Sequence, residues 1–425
     1  MYRSVRKLRA AALLAAVTMF AAACGGGDEE PGGGAATGTG DNAAAGGGAL
    51  MIWADEVRSK SLKPLAEQFG TDNGVTVSVQ SIPGDKLQAQ FVTASQAGNA
   101  PDLVLGAHDW IGNLVQNGTI DPVQLTADQT AAFNPLAVKG VTFNGQVYGI
   151  PYAVENVALF RNTDLAPEAP GTIDEMLAAG KALVAAGKTQ EAVAWPSGTT
   201  GNPYHCYPFY TAGGGYLFGK KSNGDYDPKD LGLAKPEAQA AMANFAKYGE
   251  KGQGLFKRSI TVDNDTALFT GKKTAFMVDG PWRIADLDKS GVKYDVSPVP
   301  GFTAGQPAKP FVGVQAMYVA SKGKNKAVAQ EFATNFFGTK DVAVALYKSD
   351  PRPPALTAAL EEVATGSPTL QKFLDAGKDG DILPAIPEMA TVWDPWGKAE
   401  AAIIGGADPA STTTSAATAI QKQIK

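Results

Sequence analysis

The sequence predicts an α/β protein whose sheets are mostly parallel and flanked by helices. Two observations carry that expectation. From residue 49 onward, short apolar runs of strand length alternate with segments whose apolar residues recur at helical spacing. The chain has 425 residues, 44% of them hydrophobic and 19% charged, which suits a globular body long enough for two domains.

The elements follow in order. Leu50-Met51-Ile52-Trp53 reads as a buried parallel strand. Residues 61–70 place Leu62, Leu65 and Phe69 on one helical face, with a stop at Asn73-Gly74. Residues 75–79 alternate as a strand, 86–97 read as a helix and 101–105 as a strand. Residues 141–150 read as a hairpin around Asn144-Gly145. Helices are expected at 173–186, Pro236–Tyr248, 328–337, 342–347, 354–364 and 389–404. Strands are expected at 274–278, 292–296 and Phe311–Ala320. No repeat of 20–50 residues is visible.

The first 48 residues lie outside this pattern. Arg3, Arg6, Lys7 and Arg9 precede fourteen uncharged residues, 10–23, and then Cys24. Fourteen residues are too few to span about 30 Å of hydrocarbon as a helix, so the segment reads as a secretory signal peptide. Small residues before Cys24 resemble a lipoprotein signal, in which that Cys is lipidated; Ala21 stands where such signals usually carry Leu. Residues 25–48 contain 11 Gly and no large apolar side chain. Such a stretch cannot offset its ordering entropy by burial, and as a coil it spans roughly 25–30 Å. It reads as a disordered tether.

Composition excludes several classes. The formal charge is −5, from 37 basic and 42 acidic side chains, and it becomes −9 without the four basic residues of the signal. An acidic body without a basic run offers no footprint for nucleic acid. Two Cys cannot form a disulfide framework, and two His, at 108 and 205, leave little for a metal cluster or a His-based triad. The Gly-x-Ser-x-Gly signature is absent. The run from Gly214 to Lys221 approaches a phosphate loop but puts Lys221 where Ser or Thr would hold magnesium. No catalytic residue, metal or cofactor is assigned, and Cys206 reads as a small buried residue.

Aromatic residues beside carboxylates remain. Trp53-Ala54-Asp55-Glu56, His108-Asp109-Trp110, Asp279-Gly280-Pro281-Trp282 and Trp393-Asp394-Pro395-Trp396 are four such groups. Asp55 and Asp109 each follow a predicted strand, where open α/β sheets bind ligands. An indole covers the apolar face of a sugar ring and a carboxylate accepts from its hydroxyls, so the combination suits carbohydrate. Core packing for each Trp and helix capping for each acid are the alternative.

From about residue 50 to 425 the chain resembles the maltose/maltodextrin-binding proteins, the extracellular components of sugar ABC importers. The matching stretches are Pro101-Asp102-Leu103-Val104 into Ala107-His108-Asp109, Ile150-Pro151-Tyr152-Ala153-Val154-Glu155, Gly214-Gly215-Tyr216, Asn264 to Gly280-Pro281-Trp282, Gly305 to Val314, and Leu383-Pro384-Ala385-Ile386-Pro387-Glu388-Met389. The resemblance implies a two-lobed fold of the type II periplasmic-binding-protein kind. It puts 49–153 with 317–349 in one lobe, and 156–310 with 355–425 in the other. Crossovers would fall near 154–155, 310–316 and 350–354.

The resemblance also implies site residues. Asp109 and Glu155 match sugar-binding carboxylates, Tyr204 a stacking Tyr, and Trp282 and Trp393 the two stacking Trp of the second lobe. Asp55 or Glu56 stands where the family has an Asp, and Asp55 is preferred. Several positions depart: Trp110 replaces an Arg, Gly106 a Trp, and Asn202 a Glu. Trp393 is followed by Asp394, Pro395 and Trp396 in place of the family's Tyr and later Arg. Trp110, Trp396, Arg58 and Arg352 are further candidates for ligand contact. The expected function is capture of an α-linked oligosaccharide or disaccharide and its delivery to ABC permease subunits, by a monomer anchored through Cys24 to the outer face of the cytoplasmic membrane. Trehalose, sucrose or another oligosaccharide is the alternative ligand. A lipid-anchored glycoside hydrolase and an adhesive lipoprotein are the rival classes.

Overall fold

A computed structural model describes residues 49–424. The signal segment, Cys24 and the tether lie outside the described residues.

The strand β1 (Ala49–Ala54) leads into the helix α1 (Glu56–Asn73). The helix begins five residues before the periodic pattern suggests, because the Asp55 side chain caps it by accepting from the Arg58 N–H at 2.8 Å. Gly74, at φ 65°, ends it in the left-handed conformation that glycine adopts without a Cβ penalty. Then come β2 (Thr76–Ser81), the helix α2 (Gly84–Gln96) and β3 (Leu103–Ala107). β1 pairs in parallel with both β2 and β3, so this first unit has the expected βαβαβ character.

The strand Phe311–Ala320 organises the rest. All ten of its residues are buried. It runs antiparallel to β3 on one side and to the strand Gly149–Glu155 on the other, with Gly313 opposite Glu155. Its start also pairs in parallel with Asp381–Ile382. Phe311 packs in one hydrophobic core, whereas Val312 and Val314 pack in another. The first core takes β1–β3, residues 149–154 and much of 312–359. The second lies around the helices Pro203–Ala212, Pro236–Tyr248 and Trp393–Ile404.

The second sheet departs from the parallel pattern. Its middle strand, Ala158–Asn162, is antiparallel to both Phe276–Asp279 and Tyr294–Ser297. Alternation along the strands sorts side chains onto two faces: Leu159, Phe276 and Val278 join one cluster, while Ala158, Phe160 and Met277 join a third cluster behind.

The chain passes between cores after Val154 and at Phe311. The third passage comes later than 350–354, because Ala355, Leu356 and Ala359 are buried in the first core. Two backbone bonds hold this segment to a sheet edge: Val154 N–H to the Pro353 carbonyl and Ala355 N–H to the Tyr152 carbonyl, each 2.9 Å. Phe373 is the next residue packed in the opposite half. The expected helix at 328–337 is α-helical over Lys326–Glu331 and π-helical over Phe332–Phe337. Among the described residues, no helix is long and apolar enough to cross a membrane.

Candidate functional site

On the first-core side, α1, two strands and the 350–353 segment bring charged side chains into one chain of contacts. Asp55 accepts from Arg58 Nε at 2.6 Å while capping the helix. The Arg58 guanidinium also donates to the Gln315 side-chain oxygen. The Gln315 amide donates to Glu155 Oε1 at 2.6 Å, the other Glu155 oxygen accepts from Arg352, and Arg352 Nε donates to Asp350 Oδ2 at 2.6 Å. Arg58, Gln315, Glu155, Asp350 and Arg352 are all at least nine-tenths buried. Burial pushes the Asp55 carboxyl up, but the Arg58 guanidinium outweighs it and leaves the group below its ordinary value. Burial holds Asp350 above its ordinary value despite the neighbouring Arg352. Glu56 is exposed and stays outside the chain of contacts.

Asp109 sits in the short 3-10 turn His108–Trp110 at the end of β3. Burial pushes its carboxyl up to about 6, and Trp393, from the second core, offsets part of the shift. The ring of Trp110 lies against Gly106: a Cβ there would stand 2.1 Å from the indole. The departures at 106 and 110 are therefore one exchange, in which the indole at 110 occupies space that a larger residue at 106 would claim. His108 is a structural residue. Its Nδ1 accepts from Val314 N–H at 2.9 Å, its Nε2 lies 2.8 Å from the Leu383 carbonyl, and burial lowers its pKa to about 4.

On the second-core side the residues are aromatic. Tyr204 starts the helix Pro203–Ala212, Trp282 lies in the turn Pro281–Arg283, and Trp393 opens the helix Trp393–Ile404. Each is partly exposed. The Tyr204 ring lies 6.2 Å from Trp282 and is stacked 6.4 Å from Phe311, which lies 6.2 Å from Trp393. Trp282 is seated on Gly280 as Trp110 is on Gly106, again with a would-be Cβ at 2.1 Å. The two sides meet where the Arg352 guanidinium stands 5.4 Å over the Trp282 ring. The hydroxyls of Tyr152 and Tyr204 are buried with no hydrogen-bond partner, and both side chains lie among Glu155, Arg352 and their neighbours.

One candidate is corrected. Trp396 is fully buried, edge-on to Tyr207 and Tyr210 at 6.1 and 5.1 Å, because it points from its helix into the second core. It is a core residue. Gln315 joins Arg58 to Glu155, and sequence reading passed it over. Its signal was a lone amide inside the otherwise apolar run Phe311–Ala320, where an unpaired polar group would be costly. A groove of about 540 Å³ lies elsewhere, between residues 135–145 and 220–226 with Ile382 and Ile386, and none of the charged or aromatic site residues lines it.

The description "bacterial extracellular solute-binding protein" matches residues 64–372. A galactooligosaccharide-binding protein of Bacillus subtilis is 26% identical over 383 residues, covering 88% of this chain and 89% of the relative. A maltooligosaccharide ABC transporter solute-binding lipoprotein of Streptococcus pneumoniae is 27% identical over 388 residues, with the same coverage. The maltodextrin-binding protein MdxE of Bacillus subtilis is 30% identical over 354 residues, covering 81% of this chain and 82% of the relative. With the match spanning most of the chain, the protein belongs to the bacterial extracellular solute-binding proteins.

Proposed function

We propose that the protein captures an oligosaccharide between its two halves and presents it to the membrane subunits of an ABC sugar importer. The observation that carries this reading is the pairing of three partly exposed aromatic rings with a buried chain of carboxylates and guanidiniums across one contact. Rings stack on sugar faces, while carboxylates, guanidiniums and the free tyrosine hydroxyls bond sugar hydroxyls. The segments of the first core act as one lobe and those of the second as the other. A ligand favours closure only through contacts that differ between open and closed forms, and residues on both sides supply them.

The preferred ligand is a maltose- or maltodextrin-type α-glucoside, as the resemblance implies and as two relatives' names say of those proteins. The galactooligosaccharide-binding relative and the Gly106–Trp110 exchange favour a second reading, another oligosaccharide in the same site. Hydrolysis is disfavoured because it needs two carboxyls and both oxygens of Glu155 are taken by Gln315 and Arg352. In the mature form, Cys24 carries the lipid and the tether holds a monomer at the outer face of the membrane. A thermal-shift screen over maltose, maltotriose, cyclodextrins, galactooligosaccharides, trehalose and sucrose tests the reading. Stabilisation by maltotriose is expected, and a flat response to every sugar contradicts it.

A further inference from the structure

Behind the three aromatic rings lies a second polar chain that the sugar contacts do not use. It begins at Glu400, which is fully buried on the helix that Trp393 opens. Glu400 Oε1 accepts from the backbone N–H of Asn202 at 2.9 Å. Asn202 caps the helix that carries Tyr204: its Oδ1 accepts from the His205 N–H at 3.2 Å and lies 3.1 Å from His205 Nδ1. His205 Nε2 lies 3.0 Å from Asp279 Oδ1. Asp279 accepts from Gly280 N–H at 2.7 Å and from Arg283 Nε at 2.6 Å, so it grips both ends of the turn that presents Trp282. Arg283 continues to the Val262 carbonyl at 2.6 Å and to Asp265 at 3.4 Å.

His205 is the midpoint. Its ring meets Tyr204 edge-on at 5.6 Å and 73°, and Trp282 at 6.0 Å and 77°. Both ring nitrogens face oxygen, so the ring cannot turn without losing both partners. Asp279 and Asp265 are wholly buried and His205 nearly so. Buried charge of this kind adds little net stability against replacement by apolar side chains of similar volume, whereas it restricts geometry strongly. The second core thus holds an expensive cluster at the one place where three binding elements converge.

We propose that His205 is a positioning residue, joining Glu400, Asn202, Asp279 and Arg283 into one relay that sets Tyr204, Trp282 and Trp393 in register as a single platform. The inference rests on the reading that a sugar stacks on those rings, but the relay itself can be tested without a sugar. Burial also raises Glu400 to about 7 and Asp265 to about 8, which agrees with a relay enclosed away from water.

The test labels the protein with 5-fluorotryptophan, assigns the fluorine lines by single Trp→Phe changes, and reads them first without sugar and then with maltotriose. His205→Phe keeps a ring and removes both polar bonds. It is expected to move the lines of Trp282 and of Trp393, to leave Trp53 in the first core in place, and to raise the maltotriose Kd by roughly tenfold. Glu400→Leu breaks the far end and is expected to move the Trp282 line, although Glu400 lies on another element. Glu400→Gln retains an acceptor for Asn202 and restores the wild-type lines. If His205→Phe does not fold, His205→Gln, which keeps one donor toward Asp279, is expected to give shifts of the same sign. A Trp282 line unmoved by Glu400→Leu, or a Trp393 line unmoved by the His205 change, overturns the relay. Moved lines with an unchanged Kd overturn its role in binding. If the wild type binds no maltotriose, the sugar reading fails separately, and the sugar-free lines still decide the relay.

Discussion

The two halves solve the same problem with opposite materials. The first offers charge: Asp55, Arg58, Glu155, Asp350 and Arg352, joined through Gln315 and nearly closed to water. The second offers rings at its surface and keeps its charge behind them, in the chain from Glu400 to Asp265. Both seat an indole on a glycine, Trp110 on Gly106 and Trp282 on Gly280. The difference suggests a division of labour. Under the proposed function, directional bonds would read hydroxyl positions, whereas flat surfaces would supply contact area that tolerates changes of linkage.

The largest expected effect comes from breaking the charged half. Arg352→Ala leaves one oxygen each of the buried Glu155 and Asp350 without its guanidinium partner and removes the guanidinium from Trp282. Urea unfolding should show a loss of about 3–5 kcal/mol. The next tests the glycine seats. Gly280→Ala puts a methyl group where the Trp282 ring lies, which must tilt the ring away. A cost of about 1–3 kcal/mol in stability is expected, with a larger fractional loss of sugar affinity than Gly106→Ala causes. Equal losses at the two seats would erase the distinction between the halves.

Acidity offers a subtler probe. The Asp109 carboxyl titrates near 6 in the folded protein, against 3.8 for the ordinary group. A raised carboxyl favours the folded state fully below about 4, and that contribution is lost as pH climbs through 6. Sugar affinity should move the other way, since the ionised form is the better acceptor of hydroxyls. Glu400 and Asp265 add the same sign at higher pH, so the difference between wild type and Asp109→Asn isolates this group. The variant is expected to gain about 1–3 kcal/mol at pH 7, to flatten the stability profile between pH 4 and 6, and to lose affinity. An unchanged profile would remove Asp109 from the buried site. The smallest effect belongs to Glu56→Gln, which should change calorimetric affinity by under about 0.5 kcal/mol because Glu56 is exposed outside the contacts.

Much of this was legible in the chain, and the exceptions have physical causes. Pro236–Tyr248 and Phe311–Ala320 match their expected bounds residue for residue, since each has strong periodicity or an unbroken apolar run. The Asn144-Gly145 hairpin also forms where expected, because both residues adopt positive φ. The helix Pro203–Ala212 was missed: an internal Pro208 and aromatic residues on every face hide a 3.6-residue period. Pro409–Gln421 was missed because Thr, Ser and Ala fill it, leaving little apolar contrast. At the site, the rings and acids could be named from motif matches. Gln315 and His205 could not, as their roles come from partners more than seventy residues away.

The most direct test of the central claim is a calorimetric titration of maltotriose into the wild type and into Trp282→Ala. Trp282 is the ring where the two halves meet, under Arg352 and beside Tyr204. The expected result is measurable binding by the wild type and a loss of about 2–4 kcal/mol in the variant, the scale for removing a stacked aromatic anchor. Equal affinity in the two proteins would contradict the platform, and with it the proposal that the ligand is held between a charged half and an aromatic one.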